Sequence, residues 1–255
     1  MMGSNPDVKA MAMGFSDVEN RLVVDAESAY GEYSTHAFET VDALMTLILW
    51  PTVPCEIFLR FLAQMKKSLL LCMVSIVRQH RVQAMMNLRY FLETTSHAAY
   101  GLAHKDGSAY VKNGELDDPK TISIKTYRWL EREHPEVSSE IKRMKDEINS
   151  ETAHANILNS IHTFALEGEP VQVIRNELFD FDDTERAKAD LCHSAHAGLL
   201  ALELLESVRV KHGGYLPARS ADSVPALRAA NRRLRAALAA PIDLGREGSA
   251  SPLTD

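Results

Sequence analysis

Residues 56–104 read EIFLRFLAQMKKSLLLCMVSIVRQHRVQAMMNLRYFLETTSHAAYGLAH, with no proline and a single glycine, Gly101. Apolar residues recur at helical spacing throughout, which argues for α-helix. One unbroken helix over this span would be about 75 Å long, too long for a compact domain. The apolar run stops at Arg78-Gln79-His80-Arg81, so the spacing predicts two helices with a break there. The first is expected from Cys55 to Val77, with Pro54 suited to its opening turn. Its tail, Leu69 to Val77, is apolar on nearly all sides and should be buried on nearly all sides. It is too short to cross a bilayer. The second is expected from Arg81 to Ala103, with Met85, Leu88, Leu92, Thr95, Ala99 and Leu102 on one face. Arg89, Glu93, His97, Tyr100 and His104 form a polar stripe about 120° away. Arg89 with Glu93, and Glu93 with His97, have the spacing of helical pairs. The stripe suits either a solvated face or a polar seam between helices, and the flanking Tyr90 and Phe91 favour the seam.

Outward from this pair the same patterning continues. Ser34 or Thr35 is placed to cap a helix reaching Trp50, ended by Pro51 and Pro54. Asp17 to Tyr30 suits a short helix, and residues 1–16 are expected to be disordered. Lys105 to Lys120 reads as a loop, followed by a helix from Ser123 to Glu133 that His134-Pro135 stops. Helical spacing resumes from Glu136 to Leu166, with a kink near Asn149-Ser150. Val171–Ile174 and Leu178–Phe181 are β-prone and suggest a small hairpin. Thr184 is placed to cap a long helix to Lys211, terminated by Gly213-Gly214. Residues 215–255 read as a linker, a short basic helix over Val224–Ala240 carrying Arg228, Arg232, Arg233 and Arg235, and a disordered tail. The expected fold is all-α: a bundle of about five long helices over residues 17–214, with a small β-hairpin insertion and a C-terminal basic helix.

The 255 residues are 45% hydrophobic and 25% charged, an ordinary globular balance. A net charge of -7 opposes a large non-specific nucleic-acid surface, while leaving room for a local basic site. Cys55, Cys72 and Cys192 form no CxxC and suggest reduced thiols in the cytoplasm. No basic segment precedes an apolar run near the start, so no secretory signal is expected. No segment is long and apolar enough for a membrane partner to be expected, and a homodimer through apolar helices is one expected assembly. The chain carries no P-loop, no GxGxxG and no nucleophile elbow.

Two helices carry an acid three residues before a histidine: Glu151 with His154, and Asp190 with His193. Side chains at i and i+3 face the same way, which is why dimetal carboxylate bundles use Glu-x-x-His on paired helices. Glu93 and Glu39 are available as the single carboxylates such a site also needs. A divalent metal pair held by Glu93, Glu151, His154, Asp190 and His193 is therefore one reading. The order differs from the familiar alternation, since both motifs here come last. A hydrogen-bonded core network is the other reading, and it needs no cofactor.

Asn87-Leu88-Arg89-Tyr90-Phe91-Leu92-Glu93, followed downstream by Asn149-Ser150-Glu151-Thr152-Ala153-His154-Ala155-Asn156, resembles a group of bacterial all-helical proteins. That group pairs an Arg-x-x-x-Glu helix with a later Ser-x-x-x-His segment. It is similar to the HEPN superfamily, all-α nucleotide- and RNA-associated domains found in toxin–antitoxin and phage-defence systems. The resemblance implies an inter-helix cluster of Arg89, Glu93, Ser150, His154 and Asn156, with His97 on the same stripe and RNA or a nucleotide as partner. HEPN ribonucleases use an arginine, four to six residues, then a histidine, with a polar residue after the arginine. Arg128 to His134 has five between and Arg186 to His193 has six, but Trp129 and Ala187 follow the arginines. In such enzymes the arginine neutralises the scissile phosphate and the histidine is the general acid–base. Arg186 and His193 lie about 10 Å apart along a helix axis, long for one phosphate.

Overall fold

The computed structural model describes residues 6–51, 55–151, 164–167, 173–176, 179–180, 183–217 and 223–239. Among them are nine α-helices: α1 Pro6–Val24, α2 Ala26–Tyr30, α3 Glu32–Met45, α4 Glu56–Val77, α5 Arg81–Ala103, α6 Pro119–Glu133, α7 Pro135–Glu151, α8 Thr184–His212 and α9 Val224–Ala239. Three two-stranded antiparallel pairs accompany them: β1 (Ile48–Pro51) with β6 (Tyr215–Pro217), β2 (Val111–Lys112) with β3 (Glu115–Leu116), and β4 (Phe164–Glu167) with β5 (Val173–Asn176). The fold is an all-α bundle with small β additions, and among the described residues no helix is long and apolar enough to cross a membrane.

The break at Arg78–His80 is where the sequence places it. Gln79 takes φ 60°, and the His80 amide reaches back to the Ser75 carbonyl at 2.9 Å, so the chain reverses. α4 and α5 then pack along one another more extensively than any other pair. Between them they bury Phe58, Leu62, Met65, Leu69, Met73, Leu88, Phe91 and Leu92. α8 fills the middle, packing on α3, α4, α5 and α9. Its buried residues run from Asp190 to Val208 and include Ala195, Ala197, Gly198 and Ala201. Small residues let neighbouring helices approach: a Cβ on Gly198 would stand 2.7 Å from Thr40 Cγ2 and 3.0 Å from Leu69 Cδ2. α6 and α7 form a second hairpin, which lies on α5.

Several boundaries differ from expectation, each for a local reason. α1 already begins at Pro6, so residues 6–16 are helical rather than unstructured. α3 ends at Met45, and Ile48–Pro51 is a strand rather than the end of a helix reaching Trp50. A short apolar run fits either state by periodicity, and here the partner strand Tyr215–Pro217, expected as linker, decides. The hairpin is Phe164–Glu167 with Val173–Asn176, so Phe164–Leu166 does not extend α7. Val171, Leu178 and Phe181 of the expected hairpin lie outside the described residues. The α8 cap is Asp183, whose carboxylate accepts from the Arg186 amide at 3.0 Å, rather than Thr184. Asp118 caps α6 by accepting from Thr121 N at 2.9 Å, with Pro119 in the first turn. The helix therefore starts earlier than Ser123. Residues 240–255 lie outside the described residues.

Gly198→Ala should destabilise the protein by about 1 kcal/mol in urea unfolding, crowding outweighing the gain in helix propensity. Stabilisation by a similar amount would mean that α3, α4 and α8 do not meet closely there.

Candidate functional site

Two polar clusters sit on the α5 side of the bundle, and a third ties α9 to it. The first is the seam between α5, α6 and α7. Arg89 Nε donates to Glu93 Oε1 at 3.4 Å, and Arg89 Nη1 donates to Asn149 Oδ1 on α7. Lys145, one turn before Asn149, places its Nζ 3.2 Å from Glu93 Oε1. The same ammonium donates to Tyr127 OH at 2.9 Å and lies 4.7 Å from the centre of that ring. His97 stacks on Phe61 with centroids 4.9 Å apart, and its ring nitrogens lie 3.2 Å from Thr126 Oγ1 and 3.4 Å from Ser123 Oγ on α6. Burial lowers the His97 pKa; the Glu93 carboxylate pulls it back by less, and the Lys145 ammonium adds to the lowering. Each charge in the seam has an opposite neighbour, so it chiefly orients helices.

The second cluster forms where the start of α5 meets the end of α7 and the start of α8. Arg81 stands at its centre. Its amide, first in α5, donates to Asp180 Oδ2 at 2.5 Å. Its guanidinium donates through Nε to Asp190 Oδ2 at 2.8 Å and through Nη2 to Glu151 Oε2 at 3.1 Å. Arg186 approaches the same Glu151 oxygen at 3.7 Å. Arg81, Arg186, Glu147, Glu151, Asp190 and His193 line a cavity of about 290 Å³. Asp190 is almost fully buried, which pushes its carboxyl pKa up, while Arg81 pulls it back. Burial, with added repulsion from His196, Arg143 and Arg235, pushes His193 down from 6.5 to about 4. At neutral pH it is therefore an uncharged imidazole, able to accept a proton or a hydrogen bond.

The third cluster joins α7, α8 and α9. His196 Nε2 lies 2.9 Å from Glu140 Oε1, and Arg228 Nη1 lies 2.8 Å from His196 Nδ1. A guanidinium only donates, so Nδ1 is the acceptor and Nε2–H donates to the carboxylate. Arg228 Nε also donates to Glu203 Oε1 at 2.9 Å. Arg143 and then His196 hold the Glu140 carboxyl down at about 2.

Of the residues expected to share a site, Arg89, Glu93 and His97 lie on the first seam. Ser150 is exposed and donates to its own helix, at Glu147 O, at 2.9 Å. His154 and Asn156 lie outside the described residues. Of the metal set, Glu151, Asp190 and His193 line the cavity, whereas Glu93 belongs to the other seam. The cation bridging Glu151 and Asp190 is the Arg81 guanidinium, and among the described residues no group of three or more His, Cys, Asp or Glu is arranged to hold a metal. Glu39 stands apart, in a groove beside α9. The sequence reading passed over Arg81, Lys145 and Asn149. Lys145 and Asn149 were within reach, being one turn apart beside the buried stripe Ile141, Met144 and Ile148. The Arg81 partners Asp180 and Asp190 lie far along the chain, and no spacing rule connects them. The chain matches no family model, no curated protein and no solved structure with which it was compared.

Arg81→Met should cost about 3–5 kcal/mol, because it leaves Asp190 buried without a counter-ion. The Arg81→Met/Asp190→Leu pair should cost less than the sum of the single changes in urea unfolding, and strict additivity would show that the two side chains do not interact. Stability should also depend on pH through the buried imidazoles. The unfolded chain protonates His193 near 6.5 and the folded chain only near 4. Stability from this group is therefore complete above about pH 6.5 and lost as pH falls towards 4. His193→Asn should flatten that fall in melting temperature, and an unchanged pH profile would contradict the burial of a neutral ring.

Proposed function

We propose that the protein is a HEPN-like helical bundle associated with RNA or a nucleotide, and that its working site is the cavity shared by Arg186 and His193. The observation that carries this reading is convergence. An arginine and a histidine at the spacing resembling the HEPN ribonuclease pair both line one cavity, with a third basic group, Arg81, behind them. The Arg81 guanidinium is engaged by Asp190 and Glu151, which leaves Arg186, whose side chain is held by a single longer contact among the described residues, as the cation nearest to free for an anion. His193 supplies a neutral acceptor on the same cavity wall, about two helical turns away, which suits a ligand longer than one phosphate. Glu147 and Glu151 repel an extended phosphate backbone, so a mononucleotide or an RNA end suits the cavity better than a duplex. This agrees with the net charge of -7. Cys55, Cys72 and Cys192 are all free thiols, which supports a reducing, cytoplasmic setting. Stress response or phage defence is the context that the resemblance suggests.

The test is anisotropy of a short fluorescein-labelled single-stranded RNA, with ATP as competitor. Arg186→Ala and His193→Ala should each weaken binding about tenfold, the worth of roughly 1.4 kcal/mol. Arg89→Ala should leave it unchanged. Equal binding by wild type and Arg186→Ala, at equal melting temperature, would remove the cavity as the site. Gel analysis of the recovered RNA separates binding from cleavage. Elemental analysis of the same preparation addresses the dimetal alternative, which requires stoichiometric iron, manganese or zinc.

A further inference from the structure

On the face formed by α1, α2, α3 and the start of α9, away from the cavity residues, lies an open groove of about 1320 Å³. Val23, Val24, Phe38 and Leu227 supply its apolar surface, and Val24 is 79% exposed. Glu27, Glu39 and Asp42 stand along it, and among the described residues no Lys, Arg or His lines it. None of these three carboxylates makes an ion pair among the described residues. Elsewhere the exposed acids are commonly matched: Glu32 by Arg233, Glu56 by Arg60, Glu147 by Arg143 and Glu203 by Arg228. Thr35, Glu39, Asp42 and Thr46 follow one stripe of α3, a run of about 17 Å at 1.5 Å per residue. That is room for about three turns of a docked helix.

We propose that this groove docks a cationic amphipathic helix from a different protein, its apolar stripe on Val23, Val24 and Phe38 and its lysines or arginines on Glu27, Glu39 and Asp42. Charge selects this occupant over the alternatives within the chain. Residues 240–255 carry Asp243, Glu247 and Asp255 against one arginine, Arg246, so the C-terminal segment has the wrong sign. The Arg-rich helix of a second copy is committed to its own bundle. Leu227, Asn231 and Leu234 of α9 are buried, with Asn231 Nδ2 donating to Cys192 O at 3.1 Å. Its apolar face is thus unavailable to a neighbour. The contact is independent of the nucleotide cavity and calls on none of its residues.

The probe is a fluorescein-labelled Leu/Lys amphipathic helix of about four turns, titrated by anisotropy at low salt. Wild type should bind it, and Glu39→Lys/Asp42→Lys should weaken binding at least about tenfold. Val24→Gln, an exposed change, should weaken it measurably without altering the melting temperature. Glu115→Lys/Glu136→Lys, which makes the same charge change on β3 and α7, should bind as wild type. Equal weakening by that control, or equal binding of a scrambled peptide of the same composition, would reduce the effect to net charge and overturn the proposal. So would sedimentation showing a wild-type dimer that Glu39→Lys/Asp42→Lys dissociates, since the groove would then be a self-association surface. RNA binding should be unaffected by the groove variants, so either site can fail without the other.

Discussion

The bundle depends on Arg81 being satisfied from three directions at once. Its amide is the first donor of α5, a group no helix can satisfy internally, and Asp180 takes it. Its guanidinium then bonds Asp190 of α8 and Glu151 of α7. One residue thus ties the start of α5 to α7 and to the buried part of α8. A carboxylate as buried as Asp190 is tolerable only with such a partner, and the partner's geometry in turn aligns the helices.

The same burial governs the histidines. His36, His97, His134, His193, His196 and His212 are all lowered chiefly by desolvation. His196 shows how such a ring ties helices together, with Arg228 on one side and Glu140 on the other. Much of the polar interior is networked in this way, although both ring nitrogens of His36, and Nε2 of His134 and of His212, are buried without a hydrogen-bond partner among the described residues. Two of the open places among the described residues differ in character: a small mixed-charge cavity at Arg186 and His193, and a broad groove with apolar walls and unmatched acids. The first suits a compact polar ligand, the second a macromolecular segment.

How legible this was depended on sequence distance. The reversal at Arg78–Arg81 could be read because an apolar helical run stops and restarts within four residues. Asp190 could be placed inward because its stripe continues through Ala197, Ala201 and Leu204. The Arg89–Glu93 pair could be read because it is one turn apart on one helix. Ile48–Trp50 could not, since a short apolar run suits strand and helix alike and the deciding partner is Tyr215–Pro217. Nor could the partner of Glu93, because Lys145 approaches from a helix whose rotation about its own axis is set by packing.

By itself the sequence determined the all-α class, the paired central helices, the long glycine-terminated helix α8 and the basic helix α9, whose docking it left open. Those follow from apolar spacing, caps and breakers acting over a few residues. Only the tertiary structure decided that Arg81, Glu151, Asp190 and His193 share one cavity, and that Glu39 lines a separate groove. The reason is physical: helical periodicity fixes which face a side chain shares with its neighbours along the chain. Which face of another helix it meets is settled by the packing of the whole core.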